Sequence, residues 1–507
     1  MLLADLERAV ERLVAAIKGG ETVLVHGDYD VDGICSTTLT IRAIRSMGGR
    51  AVPFIPHRLT DGYDLGSAGV KAAREAHASV VVTCDCGTSA LGPVHELQAS
   101  GIDVIVTDHH LPGGPLPSAI AVLNPRRPGC ESPDKDLAAV GVAFKLALAL
   151  ARAMGANENP IYGMLDLVAL ATVADVAPLR GENRVFVRYG LKLLSESQNI
   201  GLRALIRASG LAGRALTAGR VGYILAPRLN AAGRVGHALR GVDLLMSTSE
   251  HEANAIAREL EELNARRQET DRATHARARE MVERLELDDT YGIVLAEEGW
   301  HPGVIGIVAS RIVEEYGRPT MLVALEDGVG KGSGRSIPPF DLHNALTGCR
   351  DLLLRFGGHR SAAGITIAAD RVQEFAERFN AIARERLTPD DLTPELRVDL
   401  EVTLEEVTDQ LEALLRHLEP CGMGNPSPVL VARRVQLAAM PRVVGQEHLK
   451  LVFSRAPNDL TALGWGMGPR IGELDVSQRL DVAFRLERDD WNGESRLQAR
   501  LVDFRVC

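Results

Sequence analysis

The chain has 507 residues, room for three or four domains at roughly 100–200 residues each, and it can bury large cores without a disulfide framework. Its 57 Lys and Arg stand against 67 Asp and Glu, a formal net charge of −10, which excludes a generic polyanion-coating protein and leaves only a local basic groove for nucleic acid. The 46% hydrophobic content excludes wholesale disorder, no apolar run approaches the ~20 residues of a membrane span, and 4% aromatics keep any base-stacking surface small.

The first element, MLLADLERAVERLVAAI, has apolar residues at helical spacing mixed with Asp, Glu and Arg. It is an amphipathic helix and not a secretory signal, so the expected location is cytoplasmic. The seven cysteines, at 35, 84, 86, 130, 349, 421 and 507, include no CxxC pair and read as reduced thiols. Residues 1–190 alternate short β-branched runs with helical patterns: TVLVHGD (22–28), ASVVVTCD (78–85), DVIVTDHH (103–110) and AIAVLNP (119–125). Such runs predict a parallel sheet buried on both faces, with ligands gathering at the carboxyl ends of its strands.

A long polar helix follows over 249 to about 287, opened by a capping box of Ser249 with Glu252 and carrying a stripe of Ala253, Ile256, Ala257, Leu260 and Leu263. A helix this long and polar commonly bridges two domains. From 291 to about 385 the α/β character returns, with YGIVLAEEGW and PTMLVALE as strands around the helix VIGIVASRIVEEYG. Two Gly-rich stretches follow, GVGKGSGRS (328–336), read as a loop, and FGGHRSAAG (356–364). The tail beyond 389 is β-rich, with Asn492-Gly493 as a two-residue hairpin turn, and fits a small barrel of which the five-stranded oligonucleotide-binding type is one option. The predicted parts are residues 1–190, 191–290, 291–388 and 389–507.

The chemistry concentrates at strand ends. HGDYDVDG places His26, Asp28, Asp30 and Asp32 within one short loop, where carboxylates repel unless cations sit among them. An EF-hand would need Glu at its twelfth position, and counting from Asp28 that position is Leu39. Asp85 ends the second apolar run, Asp108-His109-His110 ends the third, and Asp175 lies in the apolar stretch ALATVADVAPL. Each alone reads as a cap or turn Asp; together they argue for one shared site. Carboxylates with imidazoles suit Mn²⁺, with Mg²⁺ the weaker fit. Six or more ligands exceed what one ion needs, so two ions bridged by a shared carboxylate are expected, about 3.5–4 Å apart. The implied chemistry is hydrolysis of a phosphoester or phosphoanhydride.

DYDVDG, TCDCGTS, the DHH triplet and ATVADVAP resemble the four sequential motifs of the DHH phosphoesterase superfamily. RLNAAGRVG (228–236), GWHPGVIGIVASR (299–311), GKGSGRS (330–336) and FGGHRSAAG (356–364) resemble its DHHA1-type second domain. With the connecting helix and PCGMGNPSPVL (420–430) leading into the tail, the chain is similar throughout to the RecJ-type 5′→3′ single-strand DNA exonucleases. The resemblance implies two α/β domains flanking a cleft, joined by a long helix, and a C-terminal barrel of OB type. It implies one metal held by His26, Asp30 and Asp85, and a second by Asp32, Asp85, His109 and Asp175. His110 would face the scissile phosphate, Asp108 would orient the imidazoles, and Asp28 would support the loop.

On the substrate side, Gly330, Gly332 and Gly334 would let backbone N–H groups approach a phosphate, with Lys331, Ser333 and Arg335 as charge-assisted donors. His359 and Arg360 would face the metals with them. Arg228, Asn230 and Arg234 would hold the strand, and Arg58 is a further candidate, each weighed against an ordinary surface salt bridge. Trp300, Trp465 and Trp491 read as core or turn packing, and Tyr63 or Phe340 are no stronger as stacking platforms. The expected activity is release of 5′-mononucleotides from single-stranded DNA in recombination and repair. Single-strand-binding protein and a recombination helicase are candidate partners, and the chain is expected to be a monomer. The alternatives are a DHH phosphodiesterase on short oligoribonucleotides or cyclic dinucleotides, and a non-catalytic single-strand-binding replication scaffold. Family members often carry residues before the first helix and beyond the tail, so partner-binding extensions are expected to be absent here.

Overall fold

The computed structural model describes every residue except 1, 59, 446 and 490–494, so the Asn492-Gly493 turn and Trp491 lie outside the described residues. The chain divides into two compact units. One comprises residues 1–175, 189–216 and 220–394; the other comprises 176–188, 217–219 and 395–507.

The first unit holds two sheets. One is built from β1 (Thr22–Gly27), β2 (Arg50–Phe54), β3 (Val80–Cys84), β4 (Asp103–Thr107) and β5 (Ala121–Leu123), in the order β2-β1-β3-β4-β5, all parallel. β1, β3 and β4 are buried along nearly their whole length, as their continuous Val and Ile runs require. The sequence reading missed β2: it is a half-exposed edge strand containing Pro53, which an edge tolerates because it needs one fewer ladder donor.

The second sheet contains β6 (Ile293–Glu298), β7 (Thr320–Glu326), β8 (Val329–Arg335), β9 (Leu353–Gly358) and β10 (Ala362–Ala368), in the order β6-β7-β8-β10-β9. VGKGSGR is therefore an interior strand and not a loop. Its glycines share the buried face, where a Cβ on Gly330, Gly332 or Gly334 would fall 2.5, 2.5 or 2.6 Å from Val323, Ile365 or Met321. Lys331, Ser333 and Arg335 alternate onto the opposite, open face.

The connecting helix runs over Glu250–Val282, about 50 Å at 1.5 Å per residue. Ser249 caps it by accepting from the Glu252 N–H, but the predicted box is only half formed, because the Glu252 carboxylate accepts from the Ser247 hydroxyl instead. Its last turns contribute Ala278 and Val282 to a core with Ile293, Trp300 and Ile312. Midway it buries Asn264, Arg267, Asp271 and Thr274, and Arg311 of the Ile305–Tyr316 helix reaches Asp271 at 2.9 Å. No described helix is long and apolar enough to cross a membrane.

The second unit is a β-barrel. Its strands β11 (Leu400–Glu401), β12 (Leu430–Gln436), β13 (Arg442–Val444), β14 (His448–Phe453), β15 (Leu460–Gly464), β16 (Arg479–Asp489) and β17 (Arg496–Val506) follow the order β11-β12-β16-β17-β15-β14-β13. A bridge between Leu437 and Phe453 returns β14 to the end of β12 and closes five of them, with β15 and β17 parallel. That is the five-stranded OB arrangement. Alternate residues Leu449, Leu451, Phe453, Leu460 and Ala462 fill it.

Candidate active site

The acidic groups arrive on strand ends. Beyond β1, the Asp28 N–H still donates to the Cys84 carbonyl at 3.2 Å, so the HGDYDVDG loop leaves in line with the sheet. Gly33 is required there, since a Cβ would lie 2.3 Å from the Asp28 carbonyl oxygen. Asp30 caps the Val31–Ser46 helix, one oxygen accepting from the Asp32 and Gly33 N–H groups at 2.9 and 3.1 Å. Asp32 accepts from the Ala139 and Val140 N–H groups, each at 2.8 Å, at the start of another helix. Beyond β3, Asp85 sits in the left-handed region at φ 65°, a conformation costing about 1–3 kcal/mol that non-glycine residues keep mainly at functional sites. Asp175 follows the last residue of the Leu165–Ala174 helix, where the helix dipole opposes a negative charge.

These groups meet in three overlapping triads whose candidate ligand atoms lie within 4.8 Å of one another: Asp28–Asp30–Asp85, Asp32–His109–Asp175 and Asp85–His109–His110. Asp85 and His109 each belong to two. His109 Nε2 lies 3.2 Å from Asp85 Oδ1 and 3.8 Å from Asp175 Oδ2. Asp28 Oδ1, Asp85 Oδ1 and His109 Nε2 are buried without a hydrogen-bond partner. A hydrogen bond to the Leu137 backbone steadies the His109 ring.

The electrostatics are those of anions lacking counter-charge. Burial, then Asp30, pushes Asp32 up to about 7. Burial, then neighbouring carboxylates, pushes Asp28, Asp85 and Asp175 well above the carboxylate range. Burial, reinforced by His110, lowers His109 to about 3 and keeps it a neutral donor. Asp108 is the exception: burial raises it, but His110 and the Thr88 hydroxyl outweigh burial and hold it below its ordinary value. It also accepts from the His109 and His110 N–H groups at 2.7 and 3.0 Å, and His110 Nδ1 lies 2.8 Å away. Although burial lowers His110, that pairing raises it to about 9. Unpartnered carboxylate oxygens beside a neutral imidazole nitrogen fit hard-to-borderline divalent cations.

His26 stands apart from the triads. Its ring is fully buried against Phe54, at a centroid distance of 5.2 Å, and beneath Gly69, with Nε2 unpartnered. Asp28, which the sequence assigned to loop support, is in a triad instead.

Near the carboxylates lies a basic pocket of about 280 Å³. Its lining includes Arg58, Arg234, Lys331, Ser333 and Arg335, together with Gly303 and Gly306 at the start of the Ile305–Tyr316 helix. Burial, then Arg58, lowers both Arg234, to about 10, and Arg335. These cations crowd one another as the carboxylates do. Arg58 lies over the Tyr29 ring at 4.9 Å and acts on both Asp28 and Arg335, so the two charge clusters adjoin.

The remaining candidates divide. Gly334 faces the core and β8 engages its backbone with both neighbours, so the expected phosphate-cradling backbone is absent. Arg228 pairs with Glu261 of the connecting helix and caps the Ile224 carbonyl. Asn230 accepts from the Val31 N–H at 3.2 Å and so braces the metal loop. His359 and Arg360 occupy the exposed turn between β9 and β10; His359 is close enough to Arg335 and His110 to feel both charges, whereas Arg360 donates to the Pro338 carbonyl at 2.8 Å.

Asn124 and Arg126 escaped the sequence reading, and Tyr63 was weighed there only as a stacking platform. Tyr63 Oη lies 3.1 Å from His110 Nε2. Asn124 donates to the Thr88 hydroxyl and the His110 carbonyl, and the charge of Arg126 reaches Asp175. Asn124 and Arg126 follow β5, so the strand-end rule already applied to β1, β3 and β4 would have found them. Tyr63 sits in a loop without a pattern.

Comparison with known proteins agrees with this arrangement. Residues 22–172 match the DHH family, N-terminal domain; 289–385 match the DHHA1 domain; 398–503 match the RecJ OB domain. The chain is 36% identical over 507 residues to the single-stranded-DNA-specific exonuclease RecJ of Bacillus subtilis, covering 99% of this chain and 64% of that one. It is 37% identical over 518 residues to the protein of that name from Dickeya dadantii, covering 98% and 90%. The crystal structure of RecJ in complex with Mn²⁺ from Thermus thermophilus superposes with a TM-score of 0.86 at 34% identity, covering 100% of this chain and 72% of that one. Three matched domains in this order, and relatives 36–37% identical over nearly the whole chain, show the family: the chain belongs to the RecJ family of DHH–DHHA1 proteins.

Proposed function

We propose that the protein is a metal-dependent exonuclease that removes 5′-mononucleotides from single-stranded DNA, 5′→3′, in recombination and repair. The observation that carries this is the juxtaposition of the unpaired carboxylate centre with the unpaired basic pocket, linked by Arg58. A terminal phosphate held in the pocket would bring the following phosphodiester toward the adjoining carboxylates.

Asp28, Asp30 and Asp85 would hold one Mn²⁺ and Asp32, His109 and Asp175 a second, with Asp85 shared. His26 stays a candidate for the first ion because its buried Nε2 is unpartnered. The bound pair supplies a lowered water pKa and charge neutralisation at the phosphate. The chain's own residues do the rest. Arg234, Lys331, Ser333 and Arg335 bind the terminal phosphate. Asp108 fixes His110 as a cationic donor toward the scissile phosphate, and Tyr63 holds the other side of that ring. Asn230 keeps the metal loop seated. Sequence preference is weak because phosphates are gripped and bases are not read. The division into residues 1–190, 191–290, 291–388 and 389–507, monomeric behaviour, and contact with single-strand-binding protein and a recombination helicase belong to the same proposal.

The test is digestion of 5′-labelled and 3′-labelled single strands with Mn²⁺. Release of the 5′ label as mononucleotide first is expected; early release of the 3′ label would overturn the polarity.

A further inference from the structure

The Ala226–Val235 helix lies along the cleft. Arg234, near its end, lines the phosphate pocket; one turn back, Asn230 touches the metal loop; and a Cβ on Gly233 would lie 2.1 Å from the Tyr29 carbonyl oxygen. Before the helix, Val221–Leu225 forms a π-turn. Pro227 explains it: lacking an N–H and crowding the preceding turn, it widens the ladder, so that the Ala226 N–H reaches the Val221 carbonyl. Such turns concentrate at functional sites.

This turn packs beside the helix that ends at Asp175, where a Cβ on Gly222 would lie 3.4 Å from Val173 Cγ1. Val221 and Leu225 are buried, yet Tyr223 between them is 86% exposed, more than any other large hydrophobic side chain described. An anchored turn therefore holds an aromatic ring out in water. From Arg234 to Tyr223 is about 16 Å along the helix at 1.5 Å per residue, with the metal loop between them. A strand whose 5′ end sat at Arg234 and followed this helix would pass the metal loop at Asn230 before reaching Tyr223.

We propose that Tyr223 is a stacking platform for the base of the third or a later nucleotide, beyond the residue that follows the scissile phosphate. The proposal rests on the exonuclease reading above and adds a residue that grips the strand still to be digested. Stacking on an aromatic ring is sequence-tolerant, as a strand drawn past one nucleotide at a time requires.

The experiment compares wild type, Tyr223→Ala and Tyr223→Phe with Mn²⁺ on a 5′-phosphorylated dinucleotide and on a long 5′-phosphorylated single strand. Tyr223→Ala should raise KM for the long strand about tenfold, the equivalent of one lost base stack, with kcat unchanged. The dinucleotide, too short to reach the ring, should be hydrolysed as by wild type, and Tyr223→Phe should behave as wild type on both. An unchanged KM for Tyr223→Ala on the long strand overturns the proposal, as does an equal loss on the dinucleotide. Wild type cleaving neither substrate overturns the exonuclease reading itself.

Discussion

The two faces of the cleft use opposite means to gather like charges. The acidic face collects carboxylates from the loop after β1, the end of β3 and one helix end, and imidazoles from the DHH triplet after β4, so four separate elements position it and several of its groups are left without partners. The basic face draws Lys331, Ser333 and Arg335 from alternate positions of one interior strand, with Arg58 and Arg234 brought to it from elsewhere in the chain. Strand ends suit a site that must surround small ions. A strand face suits one that must present a flat row of donors to a phosphate.

The comparison is broken most severely by removing the shared carboxylate. Asp85→Ala should lower activity on single-stranded DNA about a thousandfold or more, because the charge stabilisation of both ions is lost together. Calorimetric Mn²⁺ titration of the same variant should show weakened binding; undiminished activity would refute the shared-ligand assignment.

On the basic face, Arg335→Ala should cost about 10–100-fold in kcat/KM on 5′-phosphorylated strands, the worth of a charged hydrogen bond, and little on 5′-hydroxyl strands. Equal losses on the two substrates would remove the phosphate from this pocket.

Gly332→Val probes the fold beneath that face. With Ile365 Cγ1 2.5 Å from the site of a Cβ, overpacking should cost about 1–3 kcal/mol, read as a lowered Tm. A true glycine loop would accept the substitution without change.

The smallest effect concerns a carboxylate that does have its cations. Asp481 in the barrel is raised by burial, but the Arg434 N–H and the Arg505 guanidinium outweigh that and hold it at about 2. Its folded value is below the unfolded one, so its stabilisation is present above about pH 4 and is lost as pH falls toward 2. Melting curves of wild type and Asp481→Asn should therefore converge as the pH is lowered through that window. A constant gap would mean that the Arg505 pairing is not what depresses Asp481.

The two faces also differ in how far the sequence disclosed them. The carboxylates come in short contiguous motifs behind apolar runs, and strand ends are where a parallel sheet exposes side chains, so Asp30, Asp32, Asp85, His109 and Asp175 were legible. Pattern alone did not show that Asp28 and not His26 turns toward the others, since that depends on the ring packing under Gly69 and against Phe54. On the basic face, glycine at 330, 332 and 334 mimicked a flexible loop. The period of two was the signal: a strand whose inner face lacks side chains lets Val323, Ile365 and Met321 pack against its backbone. The arginines were the hardest to assign, because a sequence does not reveal which find a carboxylate; Arg228 does, in Glu261, whereas Arg234 meets the Gly303 carbonyl.

Midway along the connecting helix, Asn264, Arg267, Asp271 and Thr274 are buried where an apolar seam would also have packed. Leucines there would permit the helix to slide or roll by small steps at little cost; the Asp271–Arg311 pair has one register only. The connecting helix is thereby held in one register against the Ile305–Tyr316 helix. In the exonuclease proposed above, the placement of the basic face would then rest as much on this joint as on the residues that line the pocket.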